Sequence, residues 1–224
     1  MFKALPKNAE QFLDWKWSDY AHLFDELKKT DLSYATSADW LKAWSALDER
    51  IMETYWRRYV SVTVDTTDIQ AETKYQEFLD QIYPAAQAAA QELKLKLLDS
   101  GLEPDGFEIP LRNMRAEAAL YRDENLALLA AEMKMSTQYD KIIGAQTVEW
   151  EGKEVTLPQL QPVFQDTDRE RREEAWRLAA ERQLSDRTAL NELWREMVNL
   201  RTQIATNAEM PTYYDYRWKQ MLRF

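Results

Sequence analysis

The residues able to do chemistry are few. Cys is absent and His22 is the only histidine in 224 residues. Without Cys there is no disulfide framework, no thiolate metal site and no sulfur nucleophile. A helical zinc site of the H-E-x-x-H type needs two His on one face, and a helical di-iron site needs two Glu-x-x-His motifs. One His supplies neither. A Ser-His-Asp arrangement would have to use His22, which lies in Tyr20-Ala21-His22-Leu23-Phe24, inside an amphipathic pattern with no nucleophile signature beside it. Asp and Glu total 39, so carboxylate pairs can be drawn anywhere, and their spacing singles out none. Their default place is a solvated helix face. No Gly-rich phosphate loop occurs. The run Arg169-Glu170-Arg171-Arg172-Glu173-Glu174 mixes signs and reads as an internally paired helical turn, not a basic patch. No catalytic residue and no metal ligand follows, and substrate-binding residues stay unassigned.

The framework around these residues is helical. Four Gly occur in the chain, against the roughly 7% of an average protein, while Ala, Leu, Glu, Gln, Lys and Arg are strong helix formers. Nine Trp and eleven Tyr read as bulky filler between helices with polar tips reaching partners. The formal net charge of −10 repels phosphate backbones, so nucleic acid is not expected as a partner. Met1-Phe2-Lys3-Ala4-Leu5-Pro6-Lys7 precedes no apolar run of a signal peptide's length, and no stretch reaches the roughly 20 apolar residues of a membrane span. A Cys-free chain suits a reducing compartment. The expectation is a cytoplasmic protein without a membrane partner.

Periodicity divides the chain into elements. A first helix is expected from Ser18 to Lys29, with Trp17, Ala21, Phe24 and Leu27 on its apolar face. Ser37 suits the N-cap of a second helix, on which Trp40, Trp44, Leu47, Ile51, Tyr55 and Tyr59 recur every three or four residues. Thr67 and Gln70 fit a capping box before Tyr75, Phe78, Leu79 and Ile82. Pro84 should kink or divide that helix, and Ser100-Gly101 should end it. Pro104, Gly106 and Pro110 mark a loop, followed by a helix from about Arg112 to Met135 with a break near Asp123. Residues 147–150 and 153–156 alternate around Glu151-Gly152, a hairpin signal. Such a hairpin must pack on the helices to be stable, and as a flap it could also touch substrate. Thr167 and Glu170 fit a second capping box, opening one long helix to about Ala208. On it Leu190, Leu193, Met197, Leu200 and Ile204 form an apolar seam, widened by Trp194 and Val198. The fold class is all-α, with long antiparallel helices and one small β-hairpin near 147–156. Pro158, Pro162 and the second capping box mark the best boundary, giving residues 1–165 and 166–224.

Three segments carry a family resemblance: YRDENLALLAAEMKMSTQY over 121–139, KIIGAQTVEWEGKEVTLPQL over 141–160, and DRERREEAWRLAAERQLSDRTALNELWREMVNLRTQIATNAEM over 168–210. In this order they resemble the oligoendopeptidase F branch of the thimet-oligopeptidase-like zinc peptidases. The resemblance implies a mostly helical fold whose lobes enclose a cleft where short peptides are hydrolysed with one zinc. The family holds that zinc by two His of an H-E-x-x-H helix and a later Glu, and the Glu of the motif is the general base. No position here matches any of them, so on this resemblance the chain alone is inactive and its partner is a carboxy-terminal catalytic portion. The family usually has Gly near Glu209, and its sequences continue past the Arg223-Phe224 pair. Residues 1–165 would then be the amino-terminal lobe and 166–224 the start of the catalytic lobe. Two readings follow: part of a zinc oligoendopeptidase forming one cleft wall, or a stand-alone helical interaction module. On the first, the seam on the last long helix and the aromatic tail from Tyr213 to Phe224 lack a partner within the chain, which leaves self-association open.

Overall fold

The computed structural model describes Leu5, Pro6 and residues 8–223. Its helices are α1 (Trp17–Lys29), α2 (Tyr34–Val64), α3 (Ile69–Glu77), α4 (Tyr83–Asp99), α5 (Glu108–Leu120), α6 (Glu124–Gly144), α7 (Arg169–Ser185), α8 (Arg187–Asn207) and α9 (Tyr213–Gln220). One antiparallel hairpin, β1 (Thr147–Trp150) and β2 (Lys153–Thr156), lies between α6 and α7. Helix covers 76% of the described residues, so the all-α class with one small hairpin is what the chain adopts.

The main core joins α1 to α4. Tyr20, Leu23, Phe24 and Leu27 of α1 meet Trp40, Trp44, Leu47 and Ile51 of α2 and Leu93 and Leu97 of α4. The buried face of α1 is thus rotated from the expected one: Tyr20 and Leu23 are inside, whereas Trp17 and Ala21 are half-buried. The end of α1 is capped from outside. Lys96 Nζ donates to the carbonyls of Leu27 at 3.3 Å, Thr30 at 2.6 Å and also Lys28. Trp40 Nε1 adds a bond to the Leu27 carbonyl at 2.9 Å. A cation suits this place, because a helix C-terminus exposes unpaired carbonyls at the negative end of its dipole.

Helix starts differ from expectation for one recurring reason. Asp68, not Thr67, caps α3 by accepting from the backbone of Gln70 and Ala71. Asp168, not Thr167, caps α7 in the same way through Glu170 and Arg171. Where Thr and Asp are adjacent, the carboxylate is the stronger acceptor for backbone N–H and also answers the helix dipole. Helix α2 starts a turn earlier than expected, capped by Ser33, with Ser37 buried inside its first turn. Pro110 lies within the first turn of α5, where its missing N–H costs nothing.

Pro84 neither ends nor sharply breaks its helix. Proline removes a donor and its ring crowds the carbonyl four residues back, here that of Asp80. The backbone widens into a π-turn over Phe78–Ile82, and Tyr83 and Pro84 open α4 directly after it. Phe78, Leu79 and Ile82 all remain buried, so the bulge preserves the apolar face that a strict α-helix could not continue.

The hairpin turns at Glu151 and Gly152, whose φ values of 52° and 75° are the paired left-handed conformations of a type I′ turn. It packs on α7 through Trp150, Leu160, Val163, Ala175 and Ala179. The expected single helix to Ala208 is two. Asp186 breaks it with φ −91° and ψ 0°, accepting from Arg182 at 2.7 Å and from the buried Gln146 at 2.9 Å. No Gly or Pro announces that break; Gln146, forty residues away, holds it. The tail also has partners. Tyr216 is buried with Leu120 of α5 and Ile204 of α8, and Tyr213 packs beside them. Phe224 lies outside the described residues.

Helix α8 ends in a left-handed residue. Met210 N donates to Ala205 O at 2.9 Å and Glu209 N to Thr206 O at 3.0 Å, a Schellman pattern with Glu209 at φ 57°. A side chain in that conformation costs about 1 kcal/mol or more. Its ion pair with Arg122, at 3.8 Å with the Glu side chain 86% exposed, offsets little of this. Glu209→Gly is therefore expected to stabilise the chain by about 1 kcal/mol, read as a higher midpoint in urea unfolding. An unchanged or lower midpoint would exclude backbone strain as the controlling factor.

Candidate functional site

Helices α2, α6 and α8 converge around an open recess of about 450 Å³, within the size range of small-ligand sites. Tyr59 comes from α2; Ser136, Tyr139 and Asp140 come from α6; Leu190, Leu193, Trp194, Met197 and Arg201 come from α8. Helical spacing explains their placement. Leu193 and Met197 are four apart on one face and form the buried floor. Trp194 is one residue, about 100°, further round, which puts it on the rim, 59% exposed. Tyr139 is the exposed rim on the α6 side.

Behind Tyr59 stands an aromatic cluster. Its ring stacks on Tyr55 with centroids 6.2 Å apart, and both meet Tyr75 at about the same distance. Loss of water pushes the Tyr59 hydroxyl above its ordinary pKa, reinforced by the nearby Asp140 charge. Tyr75 is pushed up chiefly by burial. These hydroxyls remain protonated donors across neutral pH.

The geometry depends on the seating of α6, which buries only Asn125, Ala130 and Thr137. Polar contacts hold it on both flanks. Lys134 Nζ lies 2.5 Å from Asp80 and Lys141 Nζ 2.7 Å from Glu72. On the other flank Glu132 Oε1 accepts from Arg201 Nε at 2.7 Å and from Tyr213 OH at 2.8 Å. Deeper in, the Asn125 amide donates to Ile204 O at 3.0 Å and accepts from Asn207 Nδ2 at 2.8 Å. Burial, followed by the bond to Glu132, pushes the Tyr213 hydroxyl up to about 12.

His22 is exposed on α1, with Nδ1 3.4 Å from the Ser18 carbonyl, and no part of this recess includes it. Among the described residues no group of three His, Cys, Asp or Glu is placed to hold a metal ion. The donors in this chain therefore do not fit a zinc site. The hairpin buries Trp150 against α7, with Arg171 stacked over its ring at 5.6 Å. A second recess, about 540 Å³ between α2, α4 and α5, has the chain's own Leu222 in its wall and its Lys94 paired with Glu117 at 2.6 Å. Sequence reading named no substrate-binding residue. The signal it held was Trp194, an aromatic beside a seam already complete without it.

The family model described as the Peptidase M3 N-terminal domain matches residues 16–105, from the start of α1 to the loop after α4. The match takes in less than half of the chain, and over residues 16–105 the chain is similar to that domain. The rest of the likeness is one of fold. An oligoendopeptidase F, provisionally so named, from Bacillus anthracis is 21% identical with a TM-score of 0.77, and it covers all of this chain but 41% of its own. A second provisionally named oligoendopeptidase F is 20% identical with a TM-score of 0.78, over 98% of this chain and 39% of its own. PZ peptidase A, solved with an inhibitor, is 21% identical with a TM-score of 0.82, over 100% and 39%. The chain thus spans about two fifths of the length of these structures. No curated protein matches the sequence. No helix among the described residues is long and apolar enough to cross a membrane.

Two consequences follow from how these helices are held. Replacing Asn125 by Leu keeps its branched outline, puts methyl groups where the amide oxygen and nitrogen were and strands the Asn207 amide, and should cost about 1–3 kcal/mol in urea unfolding; a cost near zero would show that the amide does not fix α8 on α6. The second is a dependence on pH. Tyr83 and Tyr213 both have hydroxyls pushed up to about 12, first by burial. The folded state favours the neutral phenol, so that stabilisation is complete below the unfolded value of about 10. It is lost as pH rises through about 12. The unfolding midpoint should fall over this interval, and Tyr213→Phe should flatten the fall; an equally steep fall in that variant would rule Tyr213 out.

Proposed function

We propose that the chain is the amino-terminal part of a zinc-dependent oligoendopeptidase hydrolysing short peptides, and that it forms one wall of the substrate cleft. The observation that carries this reading is the extent of the fold match. Not only residues 16–105 but the whole chain, hairpin, α8 and α9 included, superposes on the corresponding part of larger peptidase structures. In this reading residues 1–165 make the amino-terminal lobe and 166–224 open the catalytic one. A wall of this kind limits substrate length and excludes water. The residues present do not fit zinc, so the metal ligands must come from outside this chain. The Cys-free composition supports a cytoplasmic place.

A second reading, a stand-alone helical interaction module, has one observation in its favour: the tail is docked through Tyr213 and Tyr216. The coding sequence separates the two. The reading frame after Phe224 is expected to encode an H-E-x-x-H motif, and the product carrying both parts should cleave short peptides in a chelator-sensitive way. The 224-residue chain alone should bind no stoichiometric zinc and cleave nothing, since carboxylates without His or Cys partners hold zinc poorly. A stop codon after Phe224, with a monodisperse monomer, would favour the interaction module. Tight one-to-one zinc on the isolated chain would overturn the assignment of the metal site.

A further inference from the structure

The recess between α2, α6 and α8 carries one unbalanced charge. Asp140 faces it half-buried, and the Tyr59 hydroxyl lies 3.5 Å from its Oδ2. The cations nearby are already used. Arg201, the one cation lining the recess, is paired with Glu132, and Lys141, next in sequence to Asp140, is paired with Glu72. Tyr59 and Tyr139 line the recess with phenol rings and bring no positive charge to it. A carboxylate among aromatic walls, with no cation of its own among the described residues, is complementary to a ligand that joins a positive charge to an apolar group. The chain's formal charge of −10 adds long-range attraction for such a ligand and opposes a second copy of the chain on the same surface.

We propose that this recess is a subsite for the amino-terminal end of a short peptide. The protonated amino group is held at Asp140, and the adjoining apolar or aromatic side chain lies against Tyr59, Tyr139 and Trp194. This rests on reading the chain as a cleft wall, and it adds to that reading which end of the peptide is held here and by which side chains. Trp194 supplies a ring face for the cation and the side chain together. Leu193 and Met197 give the apolar floor.

The test uses the 224-residue chain, with no metal and no further polypeptide. The probe is phenylalanyl-glycyl-glycine amide, which carries a free amino group, an aromatic side chain and no carboxylate. Titration is followed on the tryptophan indole N–H resonances, with that of Trp194 assigned by its loss in Trp194→Phe. Saturable, millimolar binding that moves the Trp194 signal is expected. Acetylating the amino group should weaken it about fivefold, as should Asp140→Asn, each removing one half-exposed ion pair. In Asp140→Asn the acetylated and free peptides should bind alike, because the pair they differ by is gone. Trp194→Ala, at an exposed position that cannot collapse the core, should weaken binding up to about tenfold. Three results would overturn the subsite: equal affinity for the acetylated peptide, shifts confined to other tryptophans, or a Trp194 signal that moves with protein concentration alone. The last would mean that a second copy closes the recess. Any of these would leave the cleft-wall reading standing, since that reading is decided by the sequence after Phe224.

Discussion

A buried amide sets the relation between the two ends of this chain. Asn125, at the start of α6, is 1% exposed. It donates to the Ile204 carbonyl and accepts from the Asn207 amide, both in the last turns of α8. Apolar packing alone tolerates a helix sliding by a fraction of a turn, because dispersion and burial are nearly non-directional. Two hydrogen bonds of defined direction do not, since a slip would leave the amide buried and unpaired. The register of α8 on α6 follows, and with it the positions of Leu193, Trp194 and Met197 opposite Tyr139 and Asp140. The walls of the recess stand where they do because of a contact made more than two helical turns away.

The same division of labour runs along α6. Its buried side chains are small or polar, so it contributes little apolar surface and depends on polar contacts at its flanks. Those to Asp80 and Glu72 reach α3 and the π-turn; those to Arg201 and Tyr213 reach α8 and α9. Each surface pair is worth little by itself. Their joint effect is positional: they fix the rotation of a helix whose own pattern does not. Glu132 accepts two bonds and is only 15% exposed at its side chain, so it is the member of the set whose loss would leave the half-buried Arg201 without its ion-pair partner.

What was legible in the sequence was whatever depends on local chemistry. The stripe from Trp40 to Ile51, the Gly-poor composition and the Glu151-Gly152 turn each reflect a neighbour-range rule, and each appears in the fold. The left-handed residue at Glu209 falls where the family resemblance implies a Gly. The misses have a common cause in groups brought from far along the chain. The break at Asp186 needs Gln146, and the buried face of α1 is turned toward Tyr20 by α2 and α4. Pro84 was recognised as a disturbance, but the form that it took, a π-turn and not a kink or a stop, depends on keeping Phe78, Leu79 and Ile82 buried together. Beyond Trp194 the recess could not be read, because its lining comes from three helices and its defining feature is a missing counter-charge, which only the placement of the nearby cations reveals.

That missing counter-charge bears on how such a surface stays open. A half-buried carboxylate met by a hydroxyl but by no counter-charge among the described residues is less stable than a paired one, and a nearby Lys would supply the missing charge. The sequence places Lys141 immediately after Asp140, yet adjacent residues on a helix point about 100° apart. Lys141 is directed to Glu72 and away from the recess. The aromatic rim has the same character: Trp194 and Tyr139 are both exposed, on two helices whose relative register is held elsewhere, by Asn125 and Glu132. The recess is therefore preorganised in the sense that matters for recognition. Its apolar walls and its charge are held apart by the scaffold, and a ligand that carries both complementary features gains from them without first having to reorganise the protein.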